Sequence, residues 1–93
     1  MSMVHAAPKA DRALVTAHVS ALRDLAAQHG ITKLRFASPG RLVGHVAGDR
    51  DALDISAFEL GAAGLLGAEL LLYSDAVLAK PNVSPDLVSA EPL

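Results

Sequence analysis

Three groups of residues in this 93-residue chain have the types and spacing to do chemistry. The first is Asp49-Arg50-Asp51, with Asp54 close behind. Two carboxylates one residue apart on a strand share a face and can share a Mg²⁺ ion. On a loop entering a helix the same residues are caps that favour the helix N-terminus. Gly48 before them and Ala52-Leu53-Asp54 after them read as loop and helix start, which favours capping. The second group is the histidines. His5, His18, His29 and His45 show no i, i+4 pairing of the kind a helical zinc site uses. His45 falls two residues after Val43 in a strand-like run and reads as an exposed strand residue with no positioned partner. The third is Ser38-Pro39-Gly40-Arg41, where Ser38, backbone N–H groups and Arg41 could hold a phosphate. Proline removes one of those donors, so a plain hairpin turn is the better reading. The chain shows no Gly-rich phosphate loop, nucleophile elbow or dinucleotide fingerprint. No complete catalytic set is legible.

Composition narrows the classes further. Hydrophobic residues make up 52% of the chain and aromatics only 3%, so Ala, Leu and Val build the core. Few rings are left for stacking bases. With a net charge of −2 and scattered basic residues, the nearest cluster being Lys33, Arg35 and Arg41, a nucleic-acid partner is not expected. The absence of cysteine excludes a disulfide framework and a thiolate metal site. Met1 to Arg12 does not resemble a signal peptide, and no apolar run is long enough to span a bilayer. A cytoplasmic location is the expectation. So much apolar content with so little charge suggests a partner or a homo-oligomer covering part of the surface.

These residues need elements to hold them. Residues 1–9 read as a disordered lead with Pro8 as a breaker, and residues 10–93 as a single domain. Asp11 can cap a helix running to about His29, with Val15, Val19, Leu22, Leu25 and Ala26 on one stripe. Gly30 stops it. Leu34–Ala37 and Leu42–Val46 read as strands of an antiparallel hairpin around Ser38–Arg41. Asp51 caps a helix from Ala52 to about Leu66, which Gly67 ends. Glu69–Tyr73 has a wholly apolar middle, the pattern of a central strand. Ser74 or Asp75 caps a short turn of helix through Lys80, and Ser84-Pro85 opens a last one through about Ala90. The order α-β-β-α-β-α predicts a small α/β (α+β) sandwich, a short mixed sheet covered by helices.

In this order, residues 12–93 resemble the minimal nucleotidyltransferases of prokaryotes, small relatives of the DNA polymerase β superfamily. Leu22 to Ile31 is similar to that family's first helix and its glycine stop. Lys33 to Ser38 is similar to the strand that ends in the family's Gly-Ser. Leu65 to Ser74 resembles the helix end and following strand, and Ala76 to Leu93 the closing stretch. The resemblance implies a nucleotidyltransferase-like sandwich and a two-metal mechanism. In that mechanism a Gly-Ser holds triphosphate, while an Asp-x-Asp pair and a third Asp hold Mg²⁺.

Carried over residue by residue, Ser38 matches the serine and Ala37 replaces the glycine. In one register the Asp pair is Asp49 and Asp51. In the other, which is preferred, Leu42–Val46 is the strand that follows the pair, and both aspartates have been deleted. In either register the third aspartate falls near Leu71, which is apolar. The resemblance thus implies a degenerate domain retained for binding, with a helical HEPN-type protein as its toxin–antitoxin partner and with neither metal nor nucleotide required. The alternative it implies is an active enzyme moving a nucleotide monophosphate from a nucleoside triphosphate to a protein or small molecule. There Ser38 and Arg41 would contact phosphate, and Asp49 and Asp51 would bind Mg²⁺. A structural homodimer without nucleotide is the third possibility.

Overall fold

Asp11 begins the first helix by accepting the backbone N–H of Leu14 at 2.8 Å. The computed structural model describes residues 8–93, so residues 1–7 of the expected lead, His5 among them, lie outside the described residues. Pro8 and Lys9 do not continue a free lead. The Pro8 carbonyl accepts the N–H of Glu69 at 2.7 Å, and Ala10 is fully buried.

The expected single helix is two. α1 spans Arg12–Ala17 and α2 spans Val19–Gln28. His18 between them has φ −119° and donates its N–H to Val15, three residues back. Its ring Nδ1 lies 3.1 Å from the Leu14 carbonyl oxygen, beside the acceptor that a continuous helix would have used. Gly30, at φ +69°, then turns the chain into β1, as its residue type predicts.

β1 (Ile31–Ser38) and β2 (Arg41–Val46) form the expected antiparallel hairpin, closed by the pair Ser38↔Arg41. α3 (Ala52–Leu66) is capped by Asp51, which accepts the N–H groups of Leu53 and Asp54, and ends at Gly67 with φ +65°. β3 (Leu71–Ser74) runs parallel to β2. After a 3-10 turn at Asp75–Ala79 comes α4 (Pro85–Val88), shorter than expected. A two-residue strand, β4 (Glu91–Pro92), pairs antiparallel with β1.

The sheet order is β3-β2-β1-β4, so β3 is an edge strand and not the central strand its apolar run suggests. The reason is coverage from α3. Glu59 on that helix accepts the Leu72 N–H at 2.7 Å, and Ala68, Leu70 and Leu72 are buried. The core joins Val15, Leu22 and Ala26 of the first two helices to Phe58, Ala62 and Leu66 of α3. The sheet contributes Ile31, Leu34, Phe36, Leu42 and Leu72. Val43, on the opposite pleat, and Leu87 of α4 are buried outside that cluster. The architecture is the expected α+β type, a short mixed sheet with helices packed on it.

Candidate functional site

Ser38 closes β1 and Arg41 opens β2, so the hairpin turn sets their side chains side by side. Both donate to one acceptor. The Ser38 hydroxyl lies 2.6 Å from Asp86 Oδ2, and an Arg41 guanidinium nitrogen lies 2.9 Å from the same oxygen. Asp86 sits in the first turn of α4, and the three groups are part-buried. The hydrogen bond from Ser38 holds the Asp86 carboxyl below its ordinary range. The Arg41 charge and the backbone N–H groups of Leu87 and Asp86 act in the same direction, while partial desolvation opposes them. The Arg41 guanidinium carbon also lies over the Tyr73 ring, 4.7 Å from its centroid, in cation–π contact. The cluster is therefore a small anion cradle, and a carboxylate of the same chain fills it.

The aspartates at 49 and 51 are elsewhere. Val46 at the far end of β2 pairs with Ile31, whereas Arg41 pairs with Ser38. Asp49 and Asp51 follow Val46, so the whole of β2 separates them from Ser38 and Arg41. For the six residues Arg41–Val46 that is about 17 Å. Asp51 is committed to capping α3, at 3.0 Å from the Leu53 nitrogen. The Asp49 side chain is 82% exposed, with Arg50 Nε 4.0 Å away. Asp54 faces Arg50 at 3.3 Å and His29 at 3.6 Å. Among the described residues, no three His, Cys, Asp or Glu side chains gather closely enough to hold a metal ion.

The strand directly after the turn is Arg41–Val46, with no helix between β1 and β2. Leu71, at the position of the expected third carboxylate, is paired with Arg41 across the β2–β3 ladder. His45 is half exposed, as its strand position suggests, and its Nδ1 lies 3.1 Å from Asp75 Oδ2.

Asp86 and Tyr73 are the residues that sequence reasoning misses. Asp86 reads as a plain first-turn residue after Ser84-Pro85, and its partner Ser38 is 48 positions away. The available signal was the pairing of a lone acid in a short C-terminal helix with an arginine at a turn. Spacing alone does not encode that.

No family model and no curated protein matches this chain. A solved structure described as a "putative minimal nucleotidyltransferase" matches it with a TM-score of 0.69 at 23% identity. The match covers 89% of this chain and 94% of that one. The fold is thus of the minimal nucleotidyltransferase type, over nearly the whole chain. Among the described residues no helix is long and apolar enough to cross a membrane.

Proposed function

We propose that this nucleotidyltransferase-like domain is a protein-binding module of the antitoxin type whose nucleotide-transfer site has degenerated. One observation carries the reading. Ser38 and Arg41, the residues that would contact triphosphate, lie at one end of the β1–β2 hairpin and are closed onto Asp86. Asp49 and Asp51, the only acidic pair with Asp-x-Asp spacing, lie past the other end. A metal bridges phosphate oxygens to carboxylates within a few ångströms, whereas here the whole of β2, a strand about 17 Å long, lies between the two sets. The residues present therefore do not fit a Mg²⁺–triphosphate group. Ala37 in place of glycine points the same way, because a Cβ crowds the approach of backbone to phosphate. The partner suggested by the family resemblance is a helical HEPN-type protein.

Calorimetry with Mg²⁺-ATP tests the reading directly. The expected result is no measurable metal-dependent binding, with wild type and Asp49→Asn alike. Tight binding that needs Mg²⁺ and disappears in Asp49→Asn would establish a working site and overturn the proposal.

A further inference from the structure

α3 is apolar on two opposite sides, with Asp54 and Glu59 on the flanks between them, yet only one of those sides is buried. Phe58, Ala62 and Leu66 face the core. On the opposite side Leu53, Ala57, Leu60 and Gly64 follow one another at spacings of four, three and four, which makes one stripe along the helix. Leu53 is 77% and Leu60 76% exposed. A Cβ built on Gly64 would meet nothing within 4 Å. Gly64 weakens the helix by about 1 kcal/mol relative to alanine and gains no packing inside its own chain.

The stripe and its neighbours Ser56 and Ala63 carry no charge. The two carboxylates of the helix are engaged elsewhere: Asp54 with Arg50 and His29, and Glu59 with the Leu72 N–H. A helix face turned to water is ordinarily polar, so this one is built for contact.

We propose that this face is the two-fold interface of a homodimer, with α3 of one copy antiparallel to α3 of the other. The order of large and small residues argues for a second copy as the occupant. A two-fold axis crossing the helix midway between Ala57 and Leu60 places Leu53 of each copy over Gly64 of the other. It also places each Leu60 over the other copy's Ala57. Every large side chain meets a small one, and the pattern complements itself under the one symmetry that identical chains adopt most often. Small residues at the crossing let the axes approach to the short end of the usual separation, about 8 Å. The uncharged stripe offers nothing to steer or pair with a charged partner. This interface does not depend on the proposed loss of nucleotide transfer.

Sedimentation equilibrium of the full chain over a range of concentrations tests it. Wild type is expected to dimerise. Leu60→Lys, at an exposed position, is expected to keep the wild-type circular dichroism and to weaken the dimer about tenfold or more. Ala57→Leu alone should weaken it too, because leucine then opposes leucine. The double variant Ala57→Leu/Leu60→Ala should restore it, because large again meets small. A wild-type chain that stays monomeric, a dimer indifferent to Leu60→Lys, or a double variant no better than the single one each overturns the proposal.

Discussion

Ser38 and Arg41 donate to the same oxygen of Asp86, and that shared acceptor ties stability to pH. The folded state holds the Asp86 pKa below its ordinary value of 3.8. The stabilisation is therefore complete above the unfolded value and is lost as pH falls through the lowered folded one. Replacing the carboxylate by Asp86→Asn should cost about 0.5–1 kcal/mol at neutral pH, the scale of a partly exposed ion pair. The gap between variant and wild type should hold from pH 7 to about 4 and narrow below it. Urea melts at stepped pH would show this, and a gap that stays constant down to pH 2 would contradict the assignment. Gly44 poses a different constraint. A Cβ there would lie 2.9 Å from Ile31 Cγ2 and 3.2 Å from Leu34 Cδ2 and Leu72 Cδ1. Gly44→Ala should destabilise by about 1–3 kcal/mol, the cost of overpacking, and denaturant midpoints would report it. Asp51 as a cap was legible because a cap's partners lie within three residues. Asp86 was not, since its partners lie 45 and 48 positions away.

At the level of elements, local chemistry was enough to read most boundaries. Asp11, Ser74 and Asp51 accept helix N-terminal N–H groups, and Gly30 and Gly67 take positive φ at helix ends, each as its type suggests. What sequence could not show is where tertiary pairing overrides local pattern. β1 carries a bulge. Its register passes from Thr32↔His45 to Arg35↔Val43, so Lys33 and Leu34 share the single residue Gly44. Lys33 takes φ +55° there, a conformation that glycine adopts freely and lysine does not. Lys33→Gly should therefore stabilise the fold by about 1 kcal/mol, seen as a higher denaturation midpoint. A lower midpoint would mean that the lysine side chain contributes more than its backbone costs. The lysine also guards a vulnerable position, because β4 pairs only with Arg35 and Phe36 and leaves the outer edge of β1's first residues, the side away from β2, unpaired.

In the whole molecule, the closing segment Pro85–Leu93 ties together the hairpin tip, the core and the edge of β1. It buries Leu87, supplies Asp86 to the hairpin tip and lays β4 along β1. The Leu93 N–H also donates to the Leu34 carbonyl. None of this was visible in sequence, where Ser84-Pro85 announces a helix and Glu91-Pro92 looks like a tail. Proline is tolerated in β4 because that strand lies at the sheet's edge. A domain of this size is stable by only about 5–14 kcal/mol, so no single attachment is negligible. Burying Leu87 alone is worth about 1.5–3 kcal/mol. A chain ending at Ser84 should still fold, because the helices and the three-stranded sheet keep the main cluster of Val15, Leu22, Phe58 and Leu72 intact. Its melting temperature should fall by roughly 10 °C or more, since each kcal/mol shifts a chain of this length by several degrees. Calorimetric scans of the two chains would decide it. An unchanged melting temperature would show that the closing segment only decorates the sheet, whereas an unfolded product would show that the sheet cannot stand with the β1 edge bare.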